Sequence, residues 1–110
     1  MAEGNAVQDH VADVKKYAKA PVEEAAVAGL LKTYRLVLSK ADTRYVACSD
    51  PAERLRVRKN FLEKKLGLTG GDLDQAIEAV CTTMQADRTK SRLTFYYLLA
   101  ERFGKLSQFA

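Results

Sequence analysis

The sequence has few of the side chains from which metal sites are built. Its 110 residues include one histidine and two cysteines, and Cys48 and Cys81 lie too far apart for a CxxC redox or zinc pair. Asp72 and Asp74 lack the further ligands and the closing glutamate of a calcium loop. We therefore expect no metal and no cofactor. We interpret both cysteines as buried thiols, because a chain of this length needs no disulfide to fold.

Long hydrophobic runs are also missing. The longest apolar stretch, Ala25 to Leu31 with a glycine inside it, is far shorter than the roughly 20 residues that a bilayer crossing requires. The first residues, MAEGNAVQDH, contain no basic region followed by an apolar core, so they do not resemble an export signal. We expect a soluble, cytoplasmic protein that does not bind membranes, in which residues 1–6 form a flexible N-terminus.

The sequence offers no recognisable catalytic constellation either. A nucleophile or an acid–base pair needs a partner within hydrogen-bond reach. The single histidine, His10, lies among valines at helical spacing, which is typical of a half-buried helix residue. The TGGD turn lacks the lysine and the hydroxyl residue that follow in a phosphate-binding P-loop. No catalytic residue is therefore assigned, and the sequence favours a protein that is not an enzyme.

What is present is the composition of an ordinary globular domain. Hydrophobic residues make up 47% of the chain and charged residues 29%, which is close to the average for folded proteins and far from that of disordered ones. A length of 110 residues fits one domain with its own core, so we expect a single domain over residues 1–110. The net charge of +4 attracts polyanions only mildly and identifies no partner.

Helical spacing of apolar residues predicts two helices in the N-terminal half. The first covers Val7 to Ala18 and stops before Pro21, because proline disfavours helix in the residue that precedes it. The second runs from Val22 to about Lys40, with its apolar residues on one stripe. A connector leads from there to the next helix.

End signals mark the next two helices. In the third, Asp50 is the expected N-cap, Glu53 completes a capping box, and Gly67 supplies the stop. In the fourth, Asp72 and Gln75 form the expected cap pair, and the apolar residues after them make a single narrow stripe.

The last helix decides the expected architecture. It is capped by Ser91 and stopped by Gly104, and the segment from Arg92 to Phe103 is apolar almost all the way round. A helix of that kind is normally enclosed by its neighbours. Since no segment alternates with a period of two, the sequence predicts an all-α protein, a compact bundle of about five helices with this apolar C-terminal helix at its centre.

Two segments carry a resemblance to a known family. They are NFLEKKLGL, from Asn60 to Leu68, and RLTFYYLLAERFGKL, from Arg92 to Leu106, with weaker support from DVKKYA and CSDPAE. On these segments the chain resembles a family of small all-helical bacterial proteins that is described only as a domain of unknown function. The resemblance implies a small helical fold and a bacterial, intracellular setting. It implies no activity, cofactor or site residues.

The third helix carries more apolar surface than a single stripe. At about 3.6 residues per turn, Leu55, Leu62 and Leu66 share a face, whereas Val57 and Phe61 lie roughly a third of a turn or more away. An exposed apolar patch marks a protein interface. We therefore predict a candidate interface at Val57 and Phe61 and a non-enzymatic protein-interaction or assembly module, either a homodimer or a small adaptor. The alternative is a monomer in which the N-terminal helices cover this patch.

A second hypothesis is weak, non-sequence-specific nucleic-acid binding through a basic helix. The candidate basic surface consists of Arg54, Arg58, Lys65, Arg88, Lys90 and Arg92. Arg54, Arg58 and Lys65 share one face of the third helix, which suits a phosphate backbone that is bound by charge neutralisation. Glu53 and Glu63 offset part of this charge.

Two further interpretations have less support. In a helix-turn-helix motif around Gly67, the first turn of the second helix would contact the DNA. Here that turn carries Asp72 and Asp74, whose carboxylates would repel the phosphates. A small-molecule site would need a polar-lined cavity beside Tyr96 or Tyr97, and aromatic residues at helical spacing more often belong to the core.

Overall fold

The structure, a computed structural model, describes the backbone of residues 2–110 and the side chains from residue 7 onward. Over these residues the chain forms seven α-helical segments, one π-helix, one 3₁₀ turn and two very short strands. The helices are α1 (Ala2–Lys15), α2 (Glu24–Thr33), α3 (Arg35–Ser39), α4 (Ala41–Arg44), α5 (Pro51–Arg56), α6 (Asp72–Thr83) and α7 (Arg92–Arg102). The predicted all-α class is confirmed. The flexible N-terminus expected for residues 1–6 lies outside the described side chains.

The strands were not predicted. The strands β1 (Tyr45–Val46) and β2 (Lys90–Ser91) pair antiparallel, with Tyr45 opposite Ser91 and Val46 opposite Lys90. Strands of two residues are too short to show an alternating pattern in the sequence. This small ladder fixes the connector before α5 against the start of α7.

The predicted central helix is α7. All its residues from Arg92 to Ala100 are buried, and it packs against α1, α2 and α6. Ser91 caps it as predicted, since its hydroxyl accepts a hydrogen bond from the amide of Thr94 at 3.4 Å. Gly104 ends it with φ of 68°, a left-handed conformation that glycine adopts without strain.

The predicted second helix is interrupted once, at Tyr34. Its φ of −111° separates α2 from α3, but the hydrogen bonds continue, from the Tyr34 amide to the Leu30 carbonyl at 2.9 Å and from the Leu38 amide to the Tyr34 carbonyl at 2.8 Å. The backbone at Phe109 packs closely against α2. A Cβ at Gly29 would lie 1.8 Å from the carbonyl oxygen of Phe109, so this position requires glycine.

The predicted third helix changes type along its length. After α5 it continues as a π-helix, Val57–Lys65, and the Leu66 amide donates to the Phe61 carbonyl five residues earlier at 2.9 Å. Because each turn is wider than in an α-helix, residues four or five apart fall on one side. That buried side contains Val57, Phe61, Leu62 and Leu66, whereas Leu55 is 49% exposed.

This geometry corrects the interface predicted at Val57 and Phe61. Their side chains are 0% and 1% exposed. The Phe61 ring stacks on Tyr96 with centroids 3.9 Å apart, and it also lies near Tyr34 and Phe109. Neither side chain has surface left for a partner, because the chain covers this patch with its own aromatic residues.

The end signals of the middle helices were predicted in part. Gly67 ends the π-helix with φ of 72°, as expected, and the apolar stripe of α6 is buried. The expected cap of α6 was wrong, since its N-cap is Gly71 and no side chain bonds there. Asp72 is instead the first residue of the helix, where a carboxylate interacts favourably with the helix dipole.

Candidate functional site

Arg92, predicted as part of a basic surface, is instead the centre of a buried polar cluster. It is 6% exposed, and its Nη2 lies 2.5 Å from Oε2 of Glu53, whose residue is also 6% exposed. Its Nη1 donates to the Tyr96 hydroxyl at 3.0 Å, and Nε and Nη2 donate to the carbonyls of Thr43 and Tyr45. The guanidinium is thus used inside the protein, where it joins α4, β1, α5 and α7.

The role of Glu53 escaped prediction. Asp50 caps α5 alone, by accepting from the Ala52 amide at 3.0 Å, and Glu53 does not complete a capping box. Its carboxylate accepts from Arg92 and, at 3.3 Å, from Arg56. The partner that matters is 39 residues further along the chain, so no local pattern could have identified it.

Two of the five other residues of the predicted basic surface, Arg54 and Arg58, are paired with acidic groups. Arg54 forms an ion pair with Glu78 of α6. Arg58 lies 2.8 Å from both Glu63 and Asp74. These pairs reduce the charge available to a phosphate backbone, which disfavours the nucleic-acid hypothesis.

The three other basic candidates lie apart from these pairs. Lys65 is exposed and its ammonium lies 5.7 Å from the centre of the Phe109 ring. Lys90 is half-buried in β2 and donates to the carbonyl of Asp87 at 2.8 Å. Arg88 is exposed in the loop that precedes β2.

The tyrosines of α7 are part of the packed core. Tyr97 is fully buried, and its hydroxyl accepts a hydrogen bond from the Glu23 amide at 2.9 Å. Tyr96 lies between Arg92 and the Phe61 ring. Burial raises the pKa of both phenols above the usual tyrosine value. Both hydroxyls are thus hydrogen-bonded inside the core, which disfavours the small-molecule site considered at these two residues.

His10 lies half-buried in α1, as predicted. Desolvation lowers its pKa, although Asp13 and Asp9 act in the opposite direction. No group of three His, Cys, Asp or Glu side chains that could hold a metal ion occurs among the described residues. Likewise, none of the described helices is long and apolar enough to cross a membrane.

An apolar cleft of about 330 Å³ lies between the α1–α2 loop and the packed helices α6 and α7. Its walls include Tyr17, Val80 and Leu98, and Glu101 lies at its edge. The Glu101 carboxylate is already engaged, because it accepts from the amides of Lys19 at 3.3 Å and Ala20 at 3.2 Å. This carboxylate holds the loop in place.

The outer surface of α2 and α3 has the most exposed large apolar side chain of the described residues. We call it the α2–α3 outer face, and it consists of Ala28, Leu31, Lys32, Arg35 and Leu36. Leu36 is 76% exposed. The first four residues line a shallow groove that Val7 of α1 completes. The spacing of three and four residues places this set opposite the buried stripe, which contains Ala26, Val27, Leu30 and Leu38.

The interpretation of the cysteines as buried thiols was wrong. Cys48 and Cys81 form a disulfide, with their Cα atoms 6.0 Å apart. The fold brings the loop before α5 against the middle of α6, a contact that a separation of 33 residues in the sequence does not reveal. The bond lies beside an open cleft lined by Cys48, Ser49, Pro51, Arg54, Leu55, Arg58 and Asp74.

The comparison with known families gives one match. The model of a family described as protein of unknown function (DUF2853) matches residues 9–107. A comparison with curated proteins finds no match. The family match agrees with the resemblance found in the sequence, and the family's description assigns no activity.

Proposed function

The chain belongs to the DUF2853 family of proteins of unknown function, so we propose a role from its own surface. We propose that it is a non-enzymatic protein-interaction module. The α2–α3 outer face is the contact surface. The observation that carries this proposal is Leu36, which is 76% exposed on the short helix α3.

A single exposed leucine is normal on a protein surface, so the surroundings of Leu36 decide the case. Leu31, five residues earlier, is half-buried and lines a groove with Ala28 and Val7. Apolar side chains next to a concave groove are the usual anchor points of a protein contact. A partner helix that lies along this groove gains apolar contacts from Val7, Ala28 and Leu31.

The charge on this face indicates the chemistry of the partner. Lys32 is exposed and lines the groove, and the partner chemistry is inferred from this residue alone. In a two-fold dimer through this face, the same patch would face itself and bring Lys32 towards its copy. Like charges disfavour that arrangement. We therefore assign the face to an amphipathic helical segment of another protein, with leucine-like anchors flanked by carboxylates.

The test uses a synthetic amphipathic helix that has leucines at positions i, i+3, i+4 and i+7 and glutamates beside them. Its partner peptide carries lysines in place of the glutamates. We expect saturable binding of the acidic peptide by fluorescence anisotropy, with amide chemical-shift changes centred on residues 28–36. Leu36→Asp should weaken binding about tenfold or more, whereas Leu55→Asp, on another exposed leucine, should leave it unchanged.

Three results would contradict the proposal. They are equal binding of the lysine peptide, shifts centred elsewhere, and the absence of saturation at about 1 mM peptide. A dimer by light scattering that Leu36→Asp dissociates would assign the face to a second copy and overturn the proposed partner chemistry.

We further propose that the protein works in the cytoplasm. The disulfide constrains this proposal, because disulfides are rare in reducing compartments such as the cytoplasm. Those that do occur there are usually redox-active. A cytoplasmic location is therefore compatible with the Cys48–Cys81 bond if the bond exchanges with cellular thiols.

A further inference from the structure

The two sulfurs of the Cys48–Cys81 disulfide have different surroundings. Cys81 lies within the buried stripe of α6 and is 8% exposed. Cys48 is half-buried in the loop before α5 and lines the open cleft. Thiol–disulfide exchange requires access of the attacking thiolate to one sulfur. A thiol that enters this cleft from solvent therefore meets Cys48 first.

The same cleft contains two arginines whose counter-ions are exposed. The side chains of Arg54 and Arg58 are 33% and 31% exposed, whereas those of their partners on α6, Glu78 and Asp74, are 62% and 67% exposed. Arg58 also bonds Glu63 of its own helix. Exposed ion pairs contribute little free energy, so a small carboxylate that enters the cleft can replace one α6 partner at its guanidinium. A phosphate backbone would have to displace both partners at once, which is why the same pairs disfavour a polyanion. The cleft thus suits an anionic ligand.

We propose that Cys48–Cys81 is a thiol-exchange site, at which Cys48 forms a mixed disulfide with a small thiol that carries carboxylates. The thiolate of the small thiol attacks Sγ of Cys48 and forms a new S–S bond. The Cys48–Cys81 bond breaks, and its electron pair passes to Sγ of Cys81. Because burial disfavours a thiolate, this sulfur takes a proton from solvent and becomes a neutral thiol. In the reverse step, Cys81 attacks Cys48 and releases the small thiol.

The fold keeps Cys48 in place while the bond exchanges. On one side of the connector, Val46 is 4% exposed and its strand pairs with β2. On the other side, Asp50 caps α5, and Glu53 binds Arg92 in the core. Opening the disulfide therefore frees only the short segment between these anchors, and the exchange does not require unfolding.

The first test measures which sulfur reacts. The oxidised chain is incubated with reduced glutathione, quenched with acid and analysed by intact mass and peptide mapping. We expect one added glutathione, located on Cys48. In a matched pair of variants treated with oxidised glutathione, Cys81→Ser should be modified at least about tenfold faster than Cys48→Ser, because the remaining thiol of the first lies at the cleft.

The second test measures the preference for an anionic thiol. Rates are compared for glutathione, which carries carboxylates, and cysteamine, which carries an amine. We expect Arg54→Gln/Arg58→Gln to lower the glutathione-to-cysteamine rate ratio about threefold or more. Lys59→Gln, next to Arg58 on the π-helix but outside the cleft lining, should keep the wild-type ratio. Circular dichroism of each variant confirms that the fold is retained.

The proposal fails if native chain resists glutathione and reacts only in denaturant, since the bond would then be purely structural. It also fails if both single-cysteine variants react at the same rate, or if two free thiols are found after purification in air. An unchanged rate ratio in the double arginine variant would overturn the assignment of an anionic thiol.

Discussion

At the scale of single residues, the Arg92–Glu53 pair places two opposite charges in the core. Each residue is 6% exposed, and each charge depends on the other for compensation. The remaining donors of Arg92 are used by Tyr96 and by the carbonyls of Thr43 and Tyr45. A change at either partner therefore leaves a buried charge without its buried counter-ion, whereas removal of both does not.

This asymmetry gives the first prediction. Arg92→Met should lower the free energy of unfolding by about 3–5 kcal/mol, because it leaves the buried Glu53 carboxylate with its 3.3 Å contact to Arg56, whose side chain is 58% exposed, in place of a buried counter-ion. The double variant Arg92→Met/Glu53→Leu should recover part of that loss. Urea denaturation of the wild type, both single variants and the double variant measures the coupling. Strictly additive losses would show that the two side chains do not compensate each other in the core.

At the scale of secondary structure, the π-helix Val57–Lys65 determines which leucines support the core. Its i to i+5 hydrogen bonding turns Leu62 inward, where it is 0% exposed, and the preceding α5 leaves Leu55 49% exposed. A regular α-helix through the same residues would place both leucines on one face. The two leucines therefore distinguish the two kinds of helix.

The second prediction compares these leucines. Leu62→Ala should cost about 2–5 kcal/mol, since it opens a cavity in the core. Leu55→Ala should change stability by no more than about 0.5 kcal/mol, as is usual for exposed positions. Thermal or urea denaturation of both variants measures the difference. Similar losses at the two positions would indicate an α-helical register instead of the π-helix.

The same elements show why some features were predictable from sequence and others were not. The cap at Ser91 and the stops at Gly67 and Gly104 depend on residues within one turn, so local chemistry identifies them. The prediction of which residues of the π-helix are buried failed, because it assumed a period of 3.6 residues. The Arg92–Glu53 pair was missed for another reason, because it joins distant parts of the chain and has no local signature.

At the scale of the whole molecule, the core is closed by segments from both ends of the chain. Phe109 is 7% exposed and packs on Phe61 with ring centroids 6.1 Å apart, and Val14 of α1 is fully buried. This closure removes Val57 and Phe61 from the surface. The α2–α3 outer face and the cleft beside Cys48 remain at the surface.

The disulfide is the covalent link in this closed fold, and its reduction is the third prediction. It joins residues 33 apart, so in the chain-entropy model it restricts the unfolded chain and adds about 3–4 kcal/mol to stability. A reductant should lower the free energy of unfolding of the wild type by that amount. The Cys48→Ser/Cys81→Ser variant should match the reduced wild type and show no response to reductant.

Because the aromatic core and the Arg92–Glu53 pair hold α5 and α7 without this bond, the variant should still unfold cooperatively in urea. A variant that is unfolded in buffer would show that the disulfide is required for folding, and exchange at Cys48 in the native state would then be excluded.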